Sequence, residues 1–416
     1  MTSWGIAIRY ALNVGALLTM QEAQARVLAR VRRLPAENVP VAGAAGRVTA
    51  GPAQSVVDLP PFASSAMDGY AVRAADLPGR LPVVAHIAAG RPAERPLRAG
   101  EAMAISTGGV VPEGADAVLP LEYVVNYDNG NNSEIEVAES LQPGAHVRPR
   151  GGDAVAGDEV VEGGVRLSAA QLGALAAAGL ASVSCARRPR VAVLATGTEL
   201  ARPGEPLGPG QVYESNGLML AAALAAAGAD IELLPVVADD EAAHRAALER
   251  GLAADVLVTS GGVSVGPHDL VRRIEAELGV EEVFWRVAIK PGKPVSFGVR
   301  GETLVFGLPG NPVSSLVGCE LFVKPAVRAL QGVRDPLPRF EPGRLVSPLR
   351  RNGARDELVR ARSRLDREGV VLEPLSGQES HMIVHSAAAD ALVHVPLGAG
   401  ELEAGAIVSW LPLGAA

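Results

Sequence analysis

A glycine-rich turn between a buried strand and a helix constrains the fold of this chain more than any other feature. Asp255–Val258 predicts a buried strand, and the turn Thr259–Asp269 that comes after it contains three glycines and leads into a helical pattern from Leu270. Glycines let backbone N–H groups approach phosphate oxygens, and the dipole of the following helix favours negative charge there. The stretch therefore predicts an anion-binding site at the end of a strand.

Composition narrows the class of protein. At 416 residues and 48% hydrophobic content the chain predicts a globular protein of two to four domains. A net charge of −8 without a long basic run argues against nucleic acid as the main partner. Cys185 and Cys319 are too few for a disulfide framework or a zinc cluster, which favours a reducing cytoplasm. No stretch reaches the roughly 20 apolar residues of a membrane helix, so we expect no membrane partner.

Changes in pattern along the chain predict its division into domains. We expect residues 1–19 to be an N-terminal extension, because the first amphipathic helix begins near Met20. The predicted domains are a helical linking domain of residues 20–55 and 148–187, an inserted β-rich module of residues 56–147, a doubly wound domain of residues 188–332, and a C-terminal β domain of residues 333–416.

Two local expectations accompany this division. Ser168 as an N-cap and Gly179 as a terminator predict a helix, which we expect to pack against the helix near Met20 in the linking domain. The charges between Arg350 and Arg367 alternate in sign, which favours a solvated face of a hairpin in the C-terminal domain.

Residues 188–332 alternate strand and helix patterns, which is typical of a doubly wound parallel sheet. The predicted strands are Val191–Ala195, Ile231–Val237, Asp255–Thr259, Val295–Phe297 and Thr303–Gly307, and the predicted helices are Ser215–Ala227, Asp240–Gly251, Asp269–Leu278 and Pro312–Leu330. The fold class is therefore a multidomain α/β protein, in which ligands bind beyond the carboxyl ends of the strands.

Four loops come after these strands and carry polar groups. Thr196–Leu200 contributes a glycine turn with one carboxylate, and Thr259–Asp269 contributes the glycines described above. Ala288–Pro294 places Lys290 and Lys293 on a stiff turn, and Gly307–Ser315 opens a helix. Amides, hydroxyls, lysines and carboxylates at one sheet edge predict a site for a phosphorylated ligand with Mg²⁺.

Several motifs resemble those of the molybdopterin molybdenumtransferase (MoeA) family, which is related to the C-terminal domain of gephyrin. The most specific are Pro60–Ala71, Ser106–Gly109 with Pro112–Val118, and Ser376–Met382. The resemblance extends from about Met20 to the C-terminus and includes the four loops above.

The resemblance implies a reaction and a set of partners. Adenylylated molybdopterin and molybdate would give molybdenum cofactor and AMP with Mg²⁺, the final step of molybdenum cofactor biosynthesis. The family implies a homodimer whose cleft lies between the doubly wound domain of one subunit and the β module of the other. A molybdopterin adenylyltransferase and the recipient molybdoenzymes are the implied functional partners.

The resemblance also implies site residues. The implied catalytic residues are Asp68, Thr107, Asp153, Glu199, Asp269 and Lys290, with Glu199 and Asp269 as metal ligands. The implied substrate-binding residues are Arg148, Gly197, Asp239, Ser260, Gly261, Gly262, Ser264, Gly266, Lys293, Ser296, Pro309, Gly310 and Asn311. Arg148 is expected to hold molybdate, because guanidinium matches a tetrahedral oxyanion.

Purely structural roles stay open for several of these residues. Asp68 could serve only to set a turn, and Thr107 could bond only within its own turn. Asp239 and Asp269 could be N-caps without a ligand, and Lys293 could extend into solvent.

Other interpretations of the site also stay open. His381 and His385 have the i, i+4 spacing of a zinc site but lack a third ligand nearby in sequence. Two departures from the family pattern are Gly152, where relatives have an acidic residue, and Glu379, where they have a small one. The competing functions are molybdopterin adenylyltransferase and a non-catalytic, gephyrin-like scaffold.

Overall fold

The computed structural model describes residues 17–127, 134–238, 240–262 and 270–414. The chain forms two units, one of residues up to Glu37 and from Ala186 onward, the other of residues Asn38–Cys185. Helix α1 (Met20–Leu28) begins at a Thr19 N-cap with a reciprocal bond to Glu22, and strand β1 (Ala36–Pro40) comes next. Within the described residues, no helix is both long and apolar enough to cross a bilayer.

The unit of residues Asn38–Cys185 is built mainly of short strands. These are β2 (Ala53–Gln54), β3 (Ser64–Ser65), β4 (Gly69–Val72), β5 (Gly79–Ile87), β6 (Ala102–Ile105), β7 (Ala117–Pro120), β8 (Val124–Tyr127), β9 (Glu134–Val137), β10 (Val147–Arg148), β11 (Glu159–Val161) and, after helix α2 (Ala169–Ala177), β12 (Ser182–Ala186). Six of them form a sheet in the order β7-β4-β6-β5-β9-β8. The sequence Asp128-Asn129-Gly130 predicts a turn, and these residues lie outside the described part of the chain.

Helix α2 ends as its sequence predicts. Ser168 and Gln171 form a capping box at its start, and Gly179 lies just after its end with φ +81°. Leu175 of α2 packs with Val39, Val183 and Cys185 in a core that belongs to this unit alone.

The other unit contains the doubly wound domain. Its elements are β13 (Arg190–Ala195), β14 (Leu200–Ala201), β15 (Val212–Tyr213), α3 (Asn216–Ala226), β16 (Asp230–Leu233), α4 (Glu241–Gly251), β17 (Val256–Ser260), α5 (Leu270–Glu277), β18 (Glu281–Trp285), β19 (Ile289–Lys290), β20 (Ser296–Arg300), β21 (Thr303–Leu308), α6 (Pro312–Gly318) and α7 (Lys324–Leu330). The sheet order is β16-β13-β17-β21-β20-β18. The predicted α/β fold class is confirmed.

The sheet is mixed, whereas the sequence led us to expect parallel strands throughout. The pairs among β16, β13, β17 and β21 are parallel, but β20 runs antiparallel to both β21 and β18. Arg300 and Thr303 flank a turn with Gly301 at φ +61°, and so short a connection can only join antiparallel strands. The expected strand Ile231–Val237 ends early at Leu233, because Pro235 has no N–H for the ladder.

Helix α1 packs in the core of the doubly wound domain. Met20, Ala23 and Val27 lie in the same apolar cluster as β13 and β17. The side chain of Gln24 also donates to the buried carbonyl of Leu321 at 3.0 Å. Leu321 lies in a π-helical turn, Cys319–Val323, between α6 and α7, and Pro325 four residues later has no N–H to donate to it. Gln24 therefore supplies a donor where proline removes one.

The C-terminal region forms a closed barrel. Its elements are β22 (Glu341–Leu345), β23 (Leu349–Arg350), β24 (Asp356–Asp366), β25 (Gly369–Pro374), α8 (Ile383–Ser386), β26 (Ala391–Val395), β27 (Glu401–Leu402) and β28 (Ile407–Pro412). Five strands pair in the ring β24-β25-β22-β28-β26, which closes through β24 and β26. The expected β24–β25 hairpin is present, but its charge run is not wholly solvated, since Arg360 is 1% exposed.

We predict that Gln24→Met lowers the free energy of unfolding by about 1 kcal/mol, because the Leu321 carbonyl loses a buried donor while side-chain volume is kept. Gln21→Met, on the exposed face of the same helix, is the matched control. In a Pro325→Ala background, where a backbone N–H is restored, the penalty should shrink. Thermal unfolding of the four variants checks this, and an equal loss in both backgrounds would contradict this role of Gln24.

Candidate functional site

The loops of the candidate site leave the sheet at one level. Ala195, the last residue of β13, is paired with Ser260, the last residue of β17, and Ser260 is paired with Leu308, the last residue of β21. Because the three strands are parallel, their carboxyl ends meet at one edge. The loops that begin at Thr196, Gly261 and Pro309 therefore start side by side.

A cleft of about 780 Å³ lies at this edge. It is lined by Ala195, Thr196, Gly197, Glu199, Leu200, Val212, Tyr213, Glu214, Ser215, Asn216, Ser260, Gly261, Gly262, Pro294, Pro309, Gly310, Asn311, Pro312, His381 and Ile383. Of the substrate-binding residues expected from the sequence, the structure brings Gly197, Ser260, Gly261, Gly262, Pro309, Gly310 and Asn311 together here.

Two glycines are required by the backbone at the floor of the cleft. Gly261 has φ +99°, and a Cβ there would lie 2.6 Å from the carbonyl oxygen of Thr196. Gly262 has φ +65°, and a Cβ there would lie 2.4 Å from a methyl carbon of Val271. Any side chain at either position would collide with its neighbour, so the backbone itself lines the cleft.

Asn216 connects the start of α3 to the end of β17 and to the loop after β21. Its side-chain Nδ2 donates to Ser260 Oγ at 2.8 Å and to the carbonyl oxygen of Gly310 at 2.7 Å. Since the Gly310 carbonyl can only accept, this contact fixes the orientation of the amide. Asn216 is buried at the first position of α3 and so holds the start of a helix against the ends of β17 and β21.

Two carboxylates face the cleft. Glu199, in the loop after β13, is exposed, and its backbone oxygen accepts from the N–H of Val212 at 2.8 Å. Glu214 is buried, and its Oε1 accepts from the N–H of Gly217 at 2.7 Å in the first turn of α3. A helix N-terminus favours negative charge, which stabilises the Glu214 carboxylate in this position.

The barrel contributes the last part of the cleft. The side chain of Asn311 donates to Ser380 Oγ at 2.8 Å, and the N–H of Val313 donates to the Ser380 carbonyl at 3.1 Å. His381 and Ile383, in the same loop, line the cavity. Among the described residues, no group of three or more His, Cys, Asp or Glu side chains is placed to hold a metal, so the zinc interpretation of His381 gains no support.

The lysines and Ser296 lie elsewhere in the same unit. Lys290 was expected to face the cleft, but its Nζ pairs with Glu357 Oε1 at 2.9 Å. The cause is register, since Lys290 of β19 lies opposite Glu357 of β24. Lys293 is half-buried and, like Lys290, is absent from the cleft lining. Ser296 is buried in the sheet beside a separate cavity of about 100 Å³.

The other unit places its four expected site residues at its surface. Asp68 Oδ1 accepts from the backbone N–H of Thr107 at 2.8 Å, which orders that turn. Asp153 is exposed and its N–H donates to the Leu59 carbonyl, while Arg148 is exposed on β10. The bond from Thr107 shows that Asp68 has a structural role. Asp239, Ser264, Gly266 and Asp269 lie outside the described residues.

Several lining residues were not predicted as site residues from the sequence. Tyr213 and Glu214 were given no role, Asn216 was predicted only as part of a helix, and His381 was considered only as a zinc ligand. The available signal for the first three was their position, since they open a helix at the carboxyl edge of the sheet. His381 could not have been placed, because it reaches the cleft from another domain.

Comparison with known proteins identifies the family. Residues 18–179 match the MoeA N-terminal region (domain I and II), residues 192–329 a probable molybdopterin binding domain, and residues 342–413 the MoeA C-terminal region (domain IV). The chain is 37% identical over 402 residues to molybdopterin molybdenumtransferase 2 of Mycobacterium tuberculosis. The matched region covers 93% of this chain and 97% of the relative.

Two further matches agree. The molybdopterin molybdenumtransferase of Haemophilus influenzae is 37% identical over 326 residues, or 77% of this chain and 79% of the relative. The crystal structure of the molybdopterin biosynthesis moeA protein from Pyrococcus horikosii has a TM-score of 0.79 at 32% identity, covering 95% of this chain and 99% of that one. The chain belongs to the molybdopterin molybdenumtransferase family, which confirms the resemblance seen in the sequence.

We predict that Asn216→Ala lowers the free energy of unfolding by about 1–3 kcal/mol, because Ser260 and Gly310 lose a shared buried donor. Asn311→Ala, which removes one bond from an exposed side chain, should cost less. Urea unfolding measures both losses, and hydrogen exchange should show the added opening at the amides of Gly261 and Ser315, which donate to the Leu308 and Asn311 carbonyls. Equal stability of Asn216→Ala and the native protein would show that the amide does not hold the loops.

Proposed function

We propose that the chain inserts molybdate into adenylylated molybdopterin and releases AMP, the final step of molybdenum cofactor biosynthesis. The observation that carries the proposal is a polar, glycine-floored cleft at the carboxyl edge of the sheet, in a chain that matches its relatives over nearly their full length. The names of those relatives indicate that the substrates are molybdopterin and a source of molybdenum. Matches to MoeA regions on both sides of the molybdopterin binding domain favour metal insertion over adenylyl transfer.

The residues suit a phosphoanhydride substrate. The backbone of Gly262 and the N-terminus of α3 offer N–H donors and positive dipole to phosphate oxygens, whereas the N–H of Gly261 already donates to the Leu308 carbonyl at 3.1 Å. Water breaks the anhydride, so that one phosphate leaves on AMP and the other stays on the pterin. Asn216 keeps the loops in place during this exchange, and preorganised donors of this kind stabilise charge without rearranging.

The donor set fits Mg²⁺. The carboxylates of Glu199 and Glu214 are hard oxygen ligands on one cleft, and Mg²⁺ is commonly held by one or two carboxylates together with substrate phosphates. When bound, Mg²⁺ would neutralise charge on the phosphates. Asp269, the other expected ligand, remains part of the proposal from the sequence.

The proposed assembly is a homodimer with a shared cleft. Asp68, Thr107, Arg148 and Asp153 are exposed in one unit, and the cleft with Glu199 lies in the other. Two subunits would let the exposed group of one complete the cleft of its partner, as the family resemblance implies. Lys290 and Lys293, which do not line the cleft within one chain, keep their proposed roles toward phosphate and molybdate.

The proposed setting is the cytoplasm. Cys185 and Cys319 are buried and are not joined in a disulfide, and burial raises the pKa of the Cys319 thiol well above its usual range. Two buried cysteines that do not form a disulfide fit a reducing compartment. An adenylyltransferase would supply the substrate there, and molybdoenzymes would receive the product.

We predict that Glu199→Gln lowers kcat/KM for AMP release from adenylylated molybdopterin about 10- to 100-fold, because a ligand for Mg²⁺ loses its charge. Glu205→Gln, an exposed glutamate after β14 and outside the cleft lining, is the matched control. The assay is AMP release with Mg²⁺, with and without molybdate. Native protein that binds the pterin nucleotide but releases no AMP would instead favour the scaffold function.

We also predict complementation between two impaired variants, Asp68→Asn and Glu199→Gln. If each cleft takes residues from both subunits, a mixed dimer has one native cleft, and random mixing restores about one quarter of native activity. The measurement is AMP release after the two variants are unfolded and refolded together. Mixtures no more active than the separate variants would contradict a shared cleft.

A further inference from the structure

The chain turns a corner between two sheets at Arg286. β18 ends at Trp285, which is paired with Ser296 of β20 in the doubly wound sheet, whereas β19 (Ile289–Lys290) pairs with β24 of the barrel. Arg286 lies at the corner with φ +79°, and within the described parts of the chain it is one of two residues other than glycine with a positive φ. A Cβ makes this conformation costly, so neighbouring groups must hold it.

The side chain of Arg286 stacks on the ring of Trp285. The Cζ atom of Arg286 lies 3.7 Å from the centroid of this ring, and the Cζ atom of Arg272 lies 4.1 Å from it. The electrons of an indole face attract a cation at such distances. Arg272 is fixed in turn by Glu282 Oε2, which accepts from its Nη2 at 2.6 Å and from its Nε at 3.0 Å. The indole thus gives Arg286 a favourable contact in a conformation that its backbone disfavours.

The corner leads directly to residues 290–294, which we call the lysine turn. The backbone N–H of Arg286 donates to the Val295 carbonyl at 2.9 Å, and the N–H of Val287 donates to the Lys293 carbonyl at 3.0 Å. The backbone at the corner is therefore bonded to the end of the lysine turn, and a change of φ at Arg286 would move that turn.

Two features connect the corner to the candidate site. Pro294, the last residue of the lysine turn, lines the cleft. Arg272 belongs to α5, the helix that follows the glycine-rich turn in the sequence. The stack on Trp285 therefore joins the helix after one predicted anion-binding turn to the segment that carries the other.

Stability alone does not explain an arginine at this corner. Glycine adopts a positive φ without the cost of a Cβ, and it is the usual residue where the chain needs this conformation. An arginine adds a side chain that can be fixed by a neighbouring ring, which glycine lacks.

We propose that Arg286 is a positioning residue for the lysine turn: its stack on Trp285 holds the corner that presents Lys290 and Lys293 to an oxyanion substrate. This role rests on the proposed function, in which the lysines act toward molybdate and phosphate. Because Arg286 acts through the turn, loss of the stack should weaken binding of the oxyanion more than turnover.

The test places Trp285→Leu in two backgrounds, native and Arg286→Gly. In the native background, we expect Trp285→Leu to raise hydrogen exchange at the Val287 amide about 10-fold and KM for the oxyanion about 10-fold, with kcat within about twofold. In the Arg286→Gly background the corner needs no stack, so Trp285→Leu should change neither quantity further.

Two single variants complete the comparison. Arg286→Ala keeps a Cβ but loses the stack, so it should resemble Trp285→Leu, whereas Arg286→Gly should stay close to native. Arg300→Ala removes an exposed arginine at the other end of β20 and should match native in both measurements. KM is measured separately for molybdate and for adenylylated molybdopterin. A rise for molybdate identifies it as the oxyanion, and a rise for the pterin nucleotide identifies its phosphates.

Equal effects of Trp285→Leu in the two backgrounds would overturn the proposal, as would native KM values for both substrates in Arg286→Ala. If Trp285→Leu does not fold, Arg286→Ala and Arg286→Gly decide the question, and equal KM values in these two variants would overturn it. If native protein releases no AMP, the proposed function fails separately. Exchange at Val287 and equilibrium binding of molybdate then decide the role of Arg286, and native values of both in Arg286→Ala would overturn it.

Discussion

Three parallel strands in one hydrogen-bonded register are the constraint on which the cleft depends. Ala195, Ser260 and Leu308 lie side by side, so the loops after β13, β17 and β21 begin at the same height. The backbone then turns at Gly261, where the neighbouring Thr196 carbonyl leaves no room for a side chain. A shift of one residue in any of these strands would separate the loops and turn buried side chains to the opposite face. The position of the site therefore depends on the register of the sheet more than on any single residue.

Two elements that are distant in sequence from the cleft loops also hold α6, the helix beside the cleft. Gln24 of α1 donates to the π-helical turn after α6, and Ser380 of the barrel bonds the start of α6. The helix that borders the cleft is thus held at both ends by side chains from other parts of its unit. This explains why a barrel with its own closed ring of strands belongs to the same unit as the doubly wound domain.

Local periodicity in the sequence predicted most of the doubly wound domain. β13, β17 and β21 and the helices α3 and α5 lie within one or two residues of their expected bounds, because buried strands and amphipathic helices leave clear patterns. The helix expected over Pro312–Leu330 is divided by the π turn Cys319–Val323. The edge strand β18 was not predicted, because it begins with two adjacent charged residues, Glu281 and Glu282, which are more typical of a loop. The π turn before α7 was also not predicted. The donor to its Leu321 carbonyl comes from Gln24, which is 297 residues away in the sequence.

Some residues lie in surroundings that the sequence did not predict, because their partners are far away in the sequence. Lys290 was expected at the cleft, but its partner Glu357 is 67 positions away and is set by strand register. Arg360 was expected to be solvated because its neighbours in sequence are charged, whereas it is buried and donates hydrogen bonds to the segment of residues 377–386. Glu214 and Asn216 carry no motif of their own, and only the fold shows that they face the ligand side of the sheet. Such contacts depend on tertiary structure that one sequence does not encode locally.

The most direct test of the assigned site is a crystal structure of the protein soaked with AMP and Mg²⁺. We expect the AMP phosphate to lie against the backbone of Gly261 and Gly262, close to Glu199 and the start of α3. Density for AMP elsewhere on the molecule, with this cleft unoccupied at saturating AMP, would contradict the assignment of the site.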